Sequence, residues 1–319
     1  MRILITGVAG FIGFSLAKKL LQDKKNKVLG IDNLNDYYSV DLKKKRLAIL
    51  KEEKNFSFKK LDILDINKIN KFVKKDIDAV VHLAAQTGVR YSTSHPEKYI
   101  DNNIIGFLSM YKFLKKYKIK KFFFASSSSV YGDNIRFPLK ESAALNPKNI
   151  YGFSKLTNET NSGFLCNLIN TKFIGLRFFT VFGPWGRPDM LIFKTLKTFF
   201  KKNIFFLNNN GNHYRDFTYI EDVVNILVEL IKKNNLKKFD IFNICSNKPI
   251  KIKNIINVIK KRFNSVEIIN SKRNNAEVYK THGDNSKILK IVNFNKFTNF
   301  NFALKETVNW YIKNQIYKY

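Results

Sequence analysis

Apolar and polar positions follow two periods along the first 180 residues. Short, nearly unbroken apolar runs predict buried strands at "RILITG" (2–7), "KVLGID" (27–32), "FSFKKLD" (56–62), "DAVVHLA" (78–84), "KKFFFASS" (120–127) and "KFIGLRFF" (172–179). Between them, segments 13–22, 39–53 and 96–117 carry apolar residues at helical spacing. Such alternation predicts parallel strands joined by right-handed crossovers. Past residue 180 the pattern loosens. Amphipathic helices are expected at 219–233, 252–263 and 302–315, and a buried strand at 239–245. With no internal repeat and no Pro- or Ser-rich linker, the second region reads as a smaller lobe interleaved with the first.

Composition narrows the class. A chain of 319 residues, 45% of them hydrophobic, can bury a large core. No apolar run approaches the roughly 20 residues that span a bilayer. Met1 is followed at once by a strand, so no signal peptide is expected. Cys166 and Cys245 lie far apart, fitting neither a disulfide framework nor a zinc site. A reducing, cytoplasmic setting and no metal are the expectation. The charge is unusual: 57 Lys and Arg against 25 Asp and Glu, a formal +32. A nucleic-acid or anionic-surface binder is one reading. A drift toward Lys, Asn, Ile and Phe is the other. The lysines scatter over nearly every predicted helix and loop, as in Lys43–Lys45 and Lys115–Lys116, and no nucleic-acid-binding signature appears. The second reading is preferred, so neither nucleic acid nor membrane is expected as a partner. The excess charge still attracts anions at long range.

"ITGVAGFIGFSLAKKL" starts as a strand and ends as a helix, with Gly7, Gly10 and Gly13 spaced G-x-x-G-x-x-G. Gly7 permits a tight turn, Gly10 lets backbone approach a pyrophosphate, and Gly13 lets helix and strand pack closely. The helix start, with Phe11 and Ile12 in its first turn, offers free N–H groups to phosphates. Asp32 ends the second strand, where a carboxylate takes the adenosine ribose hydroxyls and repels a 2′-phosphate. Asn33 beside it adds no positive charge, so NAD is favoured over NADP. Asp62 and Ile63, after the third strand, are placed to reach the adenine, though a plain strand-end carboxylate fits equally. Ala84, closing the fourth strand, completes the expected cofactor set. The expected architecture is α/β, a Rossmann-type doubly wound parallel sheet over 1–179 to which 213–249 contributes.

"YGFSK" places Tyr151 and Lys155 on one helix face. A phenol with a pKa near 10 is a poor base at neutral pH unless a nearby cation stabilises the phenolate. An ammonium and the positive nicotinamide ring of NAD⁺ both serve. Upstream, "FFFASSSSVYG" (122–132) is a buried strand running into serines, one of which can share the substrate's proton with Tyr151. A flexible polar loop is the plain alternative.

Together these residues resemble the extended branch of the short-chain dehydrogenase/reductase family. The resemblance spans nearly the whole chain: "TGVAGFIG", "HLAAQTGVRYS" (82–92), "SSSSVYG", "YGFSK" and "RDFTYIEDVV" (215–224). Within that branch the chain is most similar to the UDP-glucuronate 4-epimerases, through "GIDNLNDYYSVDLKKKRL" (30–47), "GVRYS" (88–92) and "RFFTVFGPWGRPDM" (177–190). UDP-galactose epimerases usually carry asparagine where this chain has Thr180. The resemblance implies Tyr151 as general base and Lys155 as its electrostatic partner, which also holds the nicotinamide ribose. It implies Ser127 as the third catalytic hydroxyl, with Ser126 and Ser128 as substitutes. The family's sugar-nucleotide dehydratases carry Asp-Glu next, where this chain has Ser128 and Ser129, so 4,6-dehydration lacks its acid and base. Arg215 matches a residue that holds the UDP diphosphate; a surface arginine paired with Asp216 is the alternative. Glu277, in "NAE" (275–277), stands where the family has a Pro-Gly-Asp motif, which leaves that uridine-side contact in doubt.

The implied reaction moves a hydride from the sugar's C4 to NAD⁺ while Tyr151 takes the hydroxyl proton. The 4-keto sugar turns over and is reduced on its other face. A keto group at C4 with a carboxylate on C5 is a β-keto acid that loses CO₂ readily, so a uronate epimerase must fix the carboxylate's orientation. Thr180 and Arg187 match family positions that contact it, and an arginine fork suits the task. Arg90 is a further candidate. Contact with the UDP phosphates or a purely structural role are the alternatives for Arg187, and Trp185 reads as packing. The resemblance also implies a nucleotide-sugar-binding lobe over 180–212 and 250–319, and a homodimer formed by the 94–117 segment and the Tyr151 helix. An intrachain core face gives the same apolar pattern. The expected substrate is thus a UDP-sugar, foremost UDP-glucuronate. The rivals are UDP-glucose or UDP-N-acetylglucosamine epimerisation, UDP-glucuronate decarboxylation, and a non-catalytic anionic-surface or nucleic-acid binder.

Overall fold

The computed structural model describes residues 1–73, 76–201, 203–262, 267–271 and 278–316. The chain opens as β1 (Arg2–Thr6), α1 (Phe11–Leu21), β2 (Lys27–Asp32), α2 (Val40–Lys51), β3 (Phe56–Lys60), α3 (Ile66–Phe72) and β4 (Ala79–His82). Two one-turn helices follow, α4 (Tyr91–Ser94) and α5 (Pro96–Tyr99), and then α6 (Gly106–Tyr117), β5 (Lys121–Ser127), α7 (Ile150–Leu168) and β6 (Lys172–Phe178). The second half comprises β7 (Thr180–Phe182), α8 (Leu191–Phe200), β8 (Phe205–Asn208), β9 (Tyr214–Tyr219), α9 (Ile220–Lys232) and β10 (Phe239–Ile244). It ends with β11 (Pro249–Lys251), α10 (Ile252–Lys260), β12 (Ile268–Ser271), α11 (Ser286–Leu289) and α12 (Phe300–Lys313).

Seven parallel strands form the main sheet, in the order β10-β6-β5-β4-β1-β2-β3. The chain direction across the sheet reverses between β1 and β4, which opens a crevice at their carboxyl ends. The strand interiors are mostly apolar because helices cover both faces. One face packs Ile3, Ile5 and Val81 against Phe14 and Leu16 of α1 and Val223 and Leu227 of α9. The other packs Leu4, Val80 and Phe122 against Phe107, Met110 and Phe113 of α6. A third cluster closes the smaller lobe, where Phe193 and Leu196 of α8 meet Ile256 of α10 and Leu304 and Tyr311 of α12. That lobe holds a three-stranded sheet, β11-β9-β7, and a two-stranded one, β12-β8.

The helix expected over 96–117 is not continuous. A π-helical segment, Ile100–Ile105, separates α5 from α6. Its Asn103 turns inward, where its amide oxygen accepts from the Gln86 N–H at 2.7 Å and its amide nitrogen donates to the Ser154 hydroxyl at 2.9 Å. A regular turn would carry that side chain past its two partners.

Candidate active site

The glycine turn is built by backbone. Gly7 has φ of 72°, and a β-carbon there would stand 2.7 Å from the Ala84 nitrogen. One at Gly13 would stand 2.3 Å from the Gly7 carbonyl oxygen, so only glycine lets α1 reach the end of β1. No side chain caps α1 at Gly10, which leaves its first-turn N–H groups for a ligand. Asp32 is buried at the crevice. Its Oδ2 accepts from the Ala9 N–H at 3.1 Å and its Oδ1 from the Leu34 N–H at 2.8 Å. Burial pushes its pKa up, while these bonds and the charges of Lys43 and Arg46 pull the other way.

Asn33 donates to Asp62 Oδ2 at 2.9 Å, and Asp62 Oδ1 accepts from the Leu64 N–H. Asp62 thus braces the Asn33 loop, and the next residue, Ile63, lines the cavity.

Tyr151 and Lys155 occupy the first turns of α7, whose start is capped by Asn149 accepting from the Gly152 N–H at 2.9 Å. Ser127 neighbours the Tyr151 hydroxyl, and its oxygen accepts from the Ser129 N–H at 3.1 Å. Burial pushes the Tyr151 phenol up, and the nearby Ser127 hydroxyl and the charge of Arg187 counter it. Lys155 is 4% exposed and burial alone pushes it down to about 8. Its Nζ lies 6.0 Å from the Tyr151 ring centroid. Arg187 is a further cation of the cavity whose charge lowers the phenol's pKa.

Beneath the serines lies a pair that the sequence did not single out. Arg177 of β6 and Glu159 of α7 meet with Nη2 2.7 Å from Oε2, their side chains 3% and 5% exposed. Ser126 donates to the same carboxylate. Glu159 lies one turn beyond Lys155, so helical spacing was the available signal.

Arg187 leaves the turn after β7. Its Nε donates to Asp189 Oδ1 at 3.0 Å and its Nη2 to Oδ2 at 2.5 Å. The expectation that Arg187 awaits an external anion is thus incomplete, because a resident carboxylate already faces it. Arg46, fully buried on α2, pins that turn: its guanidinium donates to the carbonyls of Ala9, Trp185 and Gly186 at 2.9, 2.5 and 3.2 Å. Trp185 packs between Phe14 and Trp310. Arg215 of β9 donates to the carbonyls of Tyr214 and Tyr279 at 2.9 and 3.2 Å. Asp216 faces away from Arg215, toward Ser246 and Gly283. Glu277 lies outside the described residues.

All these parts open onto one cavity of about 920 Å³. Gly7, Gly10, Phe11, Ile12, Gly13, Asp32, Asn33, Ile63 and Ala84 line one end. Ser127, Tyr151, Lys155 and Thr180 line the middle, and Arg90, Arg187 and Arg215 the rest. Lys43, missed in the sequence among so many lysines, also lines it. It is held by Asn35 at 2.6 Å and sits 4.5 Å from the Tyr38 ring centroid. The volume is at the upper end for small-molecule sites. The glycine turn, the uncapped helix and the strand-end carboxylate fit a dinucleotide. Among the described residues no group of His, Cys, Asp or Glu is arranged to hold a metal, and no helix is long and apolar enough to cross a membrane.

Comparison with known proteins agrees with this geometry. Residues 3–245 match the NAD dependent epimerase/dehydratase family. A UDP-glucuronate 4-epimerase of Thermodesulfobacterium geofontis is 37% identical over 317 residues, covering 98% of this chain and 96% of that one. The crystal structure of UDP-glucuronic acid 4-epimerase from Bacillus cereus, in complex with UDP-glucuronic acid and NAD, superposes with a TM-score of 0.91. Its identity is 29%, over 98% of this chain and 100% of that one. A UDP-N-acetylglucosamine 4-epimerase from Methanobrevibacter ruminantium superposes with a TM-score of 0.86 at 28% identity, over 98% of each chain.

Proposed function

We propose, from the premise that the chain belongs to the NAD-dependent epimerase/dehydratase family, that it epimerises C4 of a UDP-sugar and that this sugar is UDP-glucuronate, converted to UDP-galacturonate. The observation that carries the uronate reading is Arg187. Its guanidinium lines the same cavity as Tyr151, Lys155 and Ser127, and its charge contributes to lowering the Tyr151 phenol's pKa. A largely buried cation in the cavity of the reacting hydroxyl suits a sugar that carries its own anion.

Asp32 and the first turn of α1 would hold the ribose and pyrophosphate of NAD, and Lys155 its nicotinamide ribose. NAD, when bound, takes a hydride from C4 and returns it. The residues of the chain handle the protons and the geometry. Tyr151 removes the C4 hydroxyl proton and returns it after the keto sugar has turned over. Ser127, a neighbour of Tyr151 in the same cavity, holds the same oxygen. Bound NAD would bring the positive charge of its nicotinamide ring to the cavity that holds Lys155 and Tyr151, and both cations favour the phenolate. Thr180 and Arg187 hold the C5 carboxylate away from alignment with the C4 carbonyl, which suppresses loss of CO₂. Arg215 takes the diphosphate.

We also propose that two copies pair through the 94–117 segment and α7, where Ile105, Phe153, Phe164 and Leu168 are exposed, and that the enzyme works in the cytoplasm. A neutral sugar is the second reading, favoured by one observation: Arg187 already has Asp189 as counter-ion. The test is to incubate purified protein with UDP-glucuronate, with and without added NAD, and to follow the sugar protons by NMR. UDP-galacturonate appearing to a fixed ratio supports the proposal. Conversion of UDP-glucose or UDP-N-acetylglucosamine alone replaces it with the neutral-sugar reading, and release of CO₂ replaces it with decarboxylation.

A further inference from the structure

The edges of the Arg187 guanidinium are not equivalent. Asp189 occupies the Nε–Nη2 edge side-on, at 3.0 and 2.5 Å. Only Pro188 separates the two residues, so the pair is set by the local backbone. The Met190 N–H closes the same turn on the Arg187 carbonyl at 3.2 Å. Tyr37, from the connection between β2 and α2, donates its hydroxyl to Asp189 Oδ2 at 3.4 Å, and its ring centroid lies 5.8 Å from the Arg187 Cζ. Arg187, Asp189 and Tyr37 all line the cavity.

A carboxylate in that place has two effects on an anionic ligand. It fills one of the two edges at which the fork can chelate a carboxylate, leaving the Nη1–Nη2 end. It also offsets the guanidinium charge that the cavity presents. An unshared arginine fork in a water-poor pocket grips a carboxylate hard. Such a grip opposes a reaction in which the keto sugar must turn over between two half-reactions.

We infer that Asp189 is a specificity-determining and positioning residue, a resident counter-ion that competes with the substrate's carboxylate for Arg187. The competition keeps the hold on the sugar weak enough for it to rotate while the nucleotide stays bound. This inference rests on the uronate reading above.

The test compares wild-type holoenzyme with Asp189→Asn, and with Asp189→Ser, which also removes the charge. KM and kcat are measured with UDP-glucuronate, and the dissociation constant with UDP-glucose. The expected result is a KM for UDP-glucuronate about five- to tenfold lower with kcat reduced by a similar factor, the split expected when a ground-state competitor is lost. The UDP-glucose dissociation constant stays within about twofold, since that ligand brings no carboxylate. A KM that is unchanged or raised, parallel weakening of both ligands, or failure of both variants to fold overturns the inference and leaves Asp189 a structural brace. Failure of the uronate reading looks different: wild-type enzyme then turns over a neutral UDP-sugar and leaves UDP-glucuronate untouched, and the role assigned to Asp189 falls with it.

Discussion

The two ends of the cavity are built by different means. At the cofactor end, one stretch of chain supplies nearly everything, from the β1 turn to the first turn of α1 and the carboxylate at the end of β2. The recognising atoms there are mostly backbone N–H groups, and the conditions are steric: glycine where a β-carbon would strike backbone at 2.7 and 2.3 Å. At the sugar end, side chains from β5, α7 and the turns after β4 and β7 converge, and charged pairs hold them. A rigid backbone cradle suits a cofactor held in one fixed pose. Side chains balanced against one another suit a ligand that must be held at one end and turned at the other. Arg46 ties the two ends together through the carbonyls of Ala9 and Gly186.

This contrast can be broken most severely at the sugar end. Tyr151→Phe removes the proton carrier without changing its packing, and turnover falls by about 10²- to 10⁴-fold. NAD retention, read from absorbance and fluorescence of the purified protein, stays at the wild-type level. Loss of both would show that the ends are not separable. At the cofactor end, Gly13→Ala forces a methyl against the Gly7 carbonyl. Overpacking of this kind costs about 1–3 kcal/mol, seen as a lower melting temperature together with weaker NAD binding. An unchanged melting temperature would mean that helix and strand part without cost.

The smallest effect sharpens the electrostatics. Folding pushes Lys155 down to about 8 by burial. Between that value and its ordinary one, the unfolded chain binds a proton that the folded protein has released, so stability rises with pH across the window. The penalty is largest below pH 8. Ligand-free wild type therefore gains up to about 1.4 kcal/mol per pH unit relative to Lys155→Met between pH 8 and 10. Thermal melts of both proteins at several pH values check this; parallel curves would place Lys155 in water.

The same contrast explains what could be read in advance. The cofactor end was legible because its signals are contiguous: a strand, glycines at fixed spacing, a helix, and a carboxylate ending the next strand. Tyr151 and Lys155 were legible because helical spacing puts them on one face. Asp189 stands two residues from Arg187 and still escaped notice, since sequence adjacency does not say whether two charges point together or apart. Lys43 was hidden by composition, as one lysine in a run of three. Helical spacing from Lys155 could place Glu159 on the inward face of α7, but its pairing with Arg177 of β6 comes from the tertiary fold. For Asp62 the sequence offered both a ligand contact and a plain strand-end carboxylate, and the structure shows its bonds to the local turn.

The central claim, that Arg187 faces the substrate's carboxylate, is tested most directly by one double ratio. It is kcat/KM for UDP-glucuronate over that for UDP-glucose, measured in wild type and in Arg187→Ala. The account predicts a wild-type ratio well above one that falls by about ten- to a hundredfold in the variant, the worth of one charge-assisted contact. A ratio that does not move, or a wild type that prefers UDP-glucose, would contradict it.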